Sequence, residues 1–125
     1  TLISSYAMST GQVHFDISAH DIYLPINAAI PCGLIVNELI ANALKHGFPN
    51  GRSGYIAIAF GNGADGEYEL SVEDDGIGLP PGMDPAKQAT LGLQLVTMLT
   101  AQLRGRLAVE PRAPTRFSIR FPRPE

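Results

Sequence analysis

The chain has 125 residues, 45% of them hydrophobic and 17% charged, with a formal net charge of −3 and one cysteine. That length supports one domain with its own core, and the mild acidity excludes broad nonspecific nucleic-acid binding. A lone cysteine excludes a disulfide framework and a cysteine-based metal site, in keeping with a reducing cytoplasm, and no unbroken run of about 18 apolar residues predicts a membrane span.

Residues 1–11 are small and polar, with Ser4, Ser5, Ser9 and Gly11. They read as a connector from an upstream module, leaving 12–125 as the folded domain. The start shows no methionine, basic segment or cleavage pattern, so the chain reads as a piece of something longer. Val13, Phe15 and Ile17 then alternate with His14, Asp16 and Ser18, the period of a half-buried strand. Asp21 to Pro25 is a turn, and the fixed φ of Pro25 suits a helix start. Pro31 marks a break or a second start, so the helix begins at one of these prolines and stops at Gly47-Phe48-Pro49.

Projected at about 100° per residue, this helix has two faces. Ile35, Val36, Leu39, Ile40, Ala43 and Leu44 share an apolar arc. Glu38, Asn42 and Lys45 fall on the opposite side at i, i+4 and i+7, with His46 at the margin. A solvated helix face would explain the charges alone. The flanking segment, however, is apolar nearly all round (Ala28, Ala29, Ile30, Cys32, Leu34), which predicts a largely buried helix with Cys32 as a structural thiol. A mid-helix Asn lowers helix propensity and needs a reason. An Asn oxygen beside a Glu could serve a hard cation.

Gly47 to Gly54 is punctuated as a loop. Tyr55 to Phe60 and Tyr68 to Val72 predict a hairpin across the glycine-rich 61–66. Asp74 to Ala89 is a Gly/Pro-rich loop, Leu91 to Leu103 returns to helical spacing, and Arg106 to Val109 with Phe117 to Phe121 predict a closing hairpin. The order β-α-β-β-α-β-β predicts an α+β fold, with helices on one face of a mixed, mainly antiparallel sheet.

Two glycine motifs carry the remaining chemistry. In Asp74-Asp75-Gly76-Ile77-Gly78, directly after a strand, the glycines let backbone approach a flat ligand and Asp74 can accept from an exocyclic amine. A tight turn accounts for the same residues. In Gln88-Ala89-Thr90-Leu91-Gly92, free N–H groups at a helix start suit phosphate oxygens, and an ordinary Thr90 cap suits them too. Neither motif has the spacing of a Walker loop or a Rossmann fingerprint.

Taken together, Glu38-x-x-x-Asn42-Ala43-x-Lys45-His46, Asp74-x-Gly76-x-Gly78 and Leu91-Gly92-Leu93 resemble the N, G1 and G2 boxes of the GHKL superfamily. More narrowly, residues 12–121 resemble the catalytic ATP-binding domain of a bacterial two-component sensor histidine kinase. The run from Ile30 to Ile40 and that from Ala43 to Pro49 are similar to the HWE-type branch. The resemblance implies a Bergerat-type two-layer α/β sandwich that binds ATP and Mg²⁺. It would transfer the γ-phosphoryl group to a histidine on a separate dimerisation and phosphoacceptor module, from which a response regulator is served.

Position by position, the resemblance implies that Asn42 ligates Mg²⁺ with help from Glu38, which holds the metal and its water or, as in the ATPase branches, activates water. Asp74 would bond the adenine amine in a pocket shaped by Gly76 and Gly78. Lys45 would meet the phosphates and His46 would line the nucleotide. Thr90, Leu91 and Gly92 would form the phosphate-side hinge of the lid, with Lys87 the basic residue within it. Gln88 and Thr90 stand where many such kinases carry glycines, the lid is short, and no Phe-containing box is evident. None of His14, His20 and His46 has the setting of a phosphoacceptor, so the acceptor is expected upstream. A cytoplasmic domain without membrane or nucleic-acid contact, little active by itself, is the expectation. A serine kinase of the anti-sigma-factor type and a non-catalytic nucleotide-binding module are the alternatives.

Overall fold

Apolar residues at every second strand position build one face of a sheet, and two helices cover it. The structure, a computed structural model, describes residues 2–7, 13–20, 22–48, 53–77, 91–111 and 114–124. Among these, six strands lie in the order β1-β2-β3-β4-β6-β5. They are β1 (Leu2–Ala7), β2 (Val13–Ala19), β3 (Gly54–Asn62), β4 (Glu67–Asp74), β5 (Arg106–Glu110) and β6 (Thr115–Pro122). Strands β2 and β3 pair in parallel, and the other neighbours pair antiparallel. A parallel pair needs a long crossover. Helix α1 (Ile26–His46) is that crossover, and α2 (Leu91–Gln102) packs beside it. This is the expected α+β arrangement.

Two expectations are corrected. The segment 1–11, read as a connector, contributes an edge strand, with Leu2 opposite Ala19 through to Ala7 opposite His14. Ladder bonds use backbone groups that every non-proline residue carries, so a serine-rich stretch can pair as well as an apolar one. Helix α1 is also less buried than its composition predicts. Ala28 and Cys32 are buried, whereas Ile30 and Leu34 are exposed. Only one side of a helix can face a sheet, so an apolar residue on the other side stays in solvent.

Pro25 and Pro31 take different places in α1. Pro25 is the N-cap, and its carbonyl accepts from the Ala28 and Ala29 N–H groups at 3.0 and 2.9 Å. Pro31 lies inside one continuous helix, where its missing N–H deprives the carbonyl four residues back, at exposed Asn27. By length and composition, Ile26–Lys45 could cross a membrane. The sequence criterion of an unbroken apolar run is interrupted at Asn37, Glu38 and Asn42. Here the helix covers a sheet through Ala28, Cys32, Ile35, Leu39 and Ala43.

Register decides the core. Phe15 lies opposite Ile56, Ile58 opposite Val72, Leu70 opposite Ile119, and Val72 also opposite Phe117. All are buried, so each cross-strand pair stacks apolar on apolar. Phe60, Tyr68 and Phe121 meet at centroid separations of 5.9–6.0 Å and close one end. On the other sheet face, Arg106 grips Glu67 with two bonds of 2.9 and 3.1 Å, and Arg120 reaches Glu69, its cross-strand partner, at 3.0 Å. Arg106 thereby holds the Glu67 carboxyl below its ordinary range. In α2, buried Thr100 donates to the Val96 carbonyl at 2.7 Å, which satisfies its hydroxyl inside the core.

The end of α2 is a left-handed cap on a residue with a side chain. Arg104 has φ 60°, its N–H donates to Ala101, and the Gly105 N–H donates to Thr100. Sequence placed the stop at Gly105, but the left-handed residue is Arg104. Removing its Cβ relieves strain, so Arg104→Gly is expected to stabilise by about 1 kcal/mol in urea unfolding.

Burial pushes the Cys32 thiol up to about 11. The unfolded chain releases this proton first, near pH 8.5, so the associated stability is whole below about that pH. It is lost as the pH rises through about 11. Wild type should therefore lose stability against Cys32→Ala across that window, measured by urea titrations at matched pH.

Candidate functional site

The chain's topology brings two of the sequence motifs to one place. Helix α1 returns to the start of β3, and the start of β3 is paired with the end of β4, Ile56 lying opposite Asp74. The last turn of α1 therefore ends beside Asp74. On α1, Ile35, Leu39 and Ala43 are buried against the sheet, Glu38 and Asn42 are half-buried, and Lys45 is exposed. Glu38 and Asn42 thus occupy the rim between core and solvent, one turn apart. His46 closes the helix.

Backbone contact locks the junction. The Gly76 N–H donates to Asp74 Oδ1 at 2.9 Å, and the Ile77 N–H donates to the Gly47 carbonyl at 3.0 Å. A Cβ on Gly76 would stand 2.4 Å from the Gly47 carbonyl oxygen and 2.7 Å from its Cα. A Cβ on Gly47 would stand 2.7 Å from the Ala43 carbonyl oxygen and 3.2 Å from Asp74 Oδ1. Gly47 caps α1 with φ −85°, a conformation open to any residue, so closeness explains the glycine and helix stopping does not. Sequence reading missed this role. The available signal was a glycine directly after the polar stripe, paired with one two residues beyond a buried aspartate.

The neighbouring turn is tied down by Asp75. Its Oδ1 accepts from the Tyr55 N–H at 2.7 Å, and its own N–H donates to the Tyr55 carbonyl at 3.3 Å. The Tyr55 hydroxyl donates to Glu73 at 3.0 Å, a bond that raises the Tyr55 pKa. Asp75 thus fixes the turn, while Asp74 faces α1.

Helix α2 runs back along α1. Gln102 at its C-terminus and Leu103 just beyond line a cleft of about 470 Å³ with Asn27 and Ala28 at the N-terminus of α1. Leu91 and Gly92, exposed and half-buried, therefore open α2 toward the other end of α1, where Asn42 and Lys45 lie. Gly78, Lys87 and Thr90 lie outside the described residues. As a metal site, Glu38 and Asn42 offer two hard oxygen donors, and among the described residues no three His, Cys, Asp or Glu side chains gather into a cage. That donor set fits a cation that keeps much of its shell as water and phosphate.

A family model described as histidine kinase-, DNA gyrase B-, and HSP90-like ATPase matches residues 27–125. The chain belongs to this family, and within it to the ATP-binding catalytic domains of histidine kinases. It is 30% identical over 99 residues to blue-light-activated histidine kinase 2 of Erythrobacter litoralis, which covers 79% of this chain and 29% of that protein. It is 37% identical over 78 residues to the sensor histidine kinase PdtaS of Mycobacterium tuberculosis, covering 61% and 15%. The solved Erythrobacter litoralis EL346 blue-light activated histidine kinase matches 90% of this chain and 36% of that one, with TM-score 0.84 and 29% identity. The chain thus spans less than a third of these curated relatives.

Glycine substitutions test the junction. Gly76→Ala must displace backbone and is expected to cost about 1–3 kcal/mol in urea unfolding. Gly33→Ala, where a Cβ meets nothing within 4 Å on the exposed side of α1, should be neutral or stabilise by up to about 1 kcal/mol.

Proposed function

We propose that this domain binds ATP with Mg²⁺ and donates the γ-phosphoryl group to a histidine on a separate dimerisation and phosphoacceptor module of the same kinase. That module would then serve a response regulator. The observation that supports this most is the contact between Gly47 and Gly76, which puts the carboxylate of Asp74 against the end of the helix bearing Glu38, Asn42 and Lys45.

In this reading Asp74 accepts from the adenine amine while its Oδ1 stays committed to the Gly76 N–H. Gly76 serves the base indirectly, since the space its missing Cβ leaves is filled by the Gly47 backbone and that contact seats Asp74, and Gly78 is the glycine left to border the flat base. Asn42 and Glu38 hold the cation, which when bound neutralises phosphate charge. Lys45 adds a positive charge on the phosphate side, His46 lines the nucleotide, and the backbone at Thr90, Leu91 and Gly92 receives phosphate oxygens, with Lys87 from the lid. Phosphoryl transfer asks a protein mainly for positioning and charge neutralisation, and these residues supply both. The domain would work in the cytoplasm without contacting membrane or nucleic acid, and would turn over little without its acceptor.

Titration calorimetry with ADP and a non-hydrolysable ATP analogue tests the site. Binding should depend on Mg²⁺ and weaken at least about tenfold in Asp74→Asn, because an amide presents a donor either to the adenine amine or to the Gly76 N–H. Absence of binding at millimolar nucleotide would overturn the assignment. Once the acceptor module is attached, the phosphorylated product should be acid-labile. An acid-stable product would point to a serine acceptor instead.

A further inference from the structure

Helix α1 carries more apolar surface than its core position uses. Ile26, Ile30 and Leu34 remain 76%, 57% and 44% exposed. At i, i+4 and i+8 they form one ridge, and the same ridge continues through Glu38 and Asn42. Beside it, Gly33 leaves open space where a side chain would stand.

We propose that this ridge is the docking surface for an apolar-faced helix of the phosphoacceptor module, an inference that rests on the kinase reading above. The geometry suits a helix, because i, i+4 ridges interdigitate with the corresponding ridges of a second helix. Position is the second reason. Leu34 precedes Asn42 by two turns, about 12 Å of helix rise, so a helix laid on the ridge arrives beside the nucleotide stripe. Size and charge select among occupants. The three side chains expose on the order of 300 Å², well below the roughly 800 Å² per partner of a stable free-standing interface. A second copy of this chain is therefore poorly served, whereas a tethered module needs little area because its effective concentration is high. Residues 26–37 contain no charge, so the basic residues that bring a helix to an anionic membrane are absent from this ridge.

The test uses the kinase with its acceptor module attached, labelled with γ-phosphate-labelled ATP. Ile30→Glu with Leu34→Glu should slow labelling at least about tenfold, while the ATP Kd stays within about twofold and the Tm within a few degrees. Ile30→Met with Leu34→Met should retain labelling. Equal labelling by wild type and the glutamate variant would overturn the ridge and leave the kinase reading standing. A wild type that binds ATP but never labels would overturn the kinase reading, and the ridge with it. Concentration-dependent dimers of the 125-residue chain that the glutamate variant abolishes, seen by sedimentation, would make a second copy the occupant and overturn the proposal.

Discussion

The contact on which this structure depends is between two backbones without side chains. Gly47 ends α1 and Gly76 follows β4, and the space between them has no room for a methyl group on either. Through that contact the Ile77 N–H reaches the Gly47 carbonyl and the Asp74 carboxylate lies along the helix end. Any side chain there would wedge the helix away from the strand. The candidate base-binding carboxylate and the candidate metal-binding stripe would then separate.

Sheet topology sets up this meeting before any side chain refines it. A parallel β2–β3 pair obliges α1 to travel the length of the sheet, from the end of β2 back to the start of β3. Antiparallel pairing of β3 with β4 then places Asp74 where α1 finishes. The reciprocal bonds between Tyr55 and Asp75 join those two strand ends directly. The turn that follows is thus held from the sheet side by Asp75 and from the helix side by Gly47.

One helix meets several demands in different directions. Toward the sheet, Ile35 and Leu39 join the core. At the rim, Glu38 and Asn42 are accessible enough to meet a ligand and buried enough to be held in place. Toward solvent, Ile26, Ile30 and Leu34 form an apolar ridge that packing among the described residues leaves unused. A helix of 21 residues has length enough to separate these roles along its axis as well as around it.

Sequence alone determined the features that depend on local period and spacing. The alternation in Val13–Ile17, the two faces of α1 from Ile35 to Lys45, both hairpins and the order of the glycine motifs were legible, because periods of 2 and about 3.6 are properties of neighbouring residues. The α+β class followed from element order, and the kinase-domain resemblance from the three motifs together. Other features were decided by contacts between residues far apart in the chain. Pairing made 2–7 a strand, packing carried α1 through Pro31, and the face turned toward the sheet left Ile30 and Leu34 in solvent while burying Ala28 and Cys32. The sequence around Gly47 could report only a helix stop. Its closeness to Gly76, 29 residues later, exists only once the sheet has brought the two together.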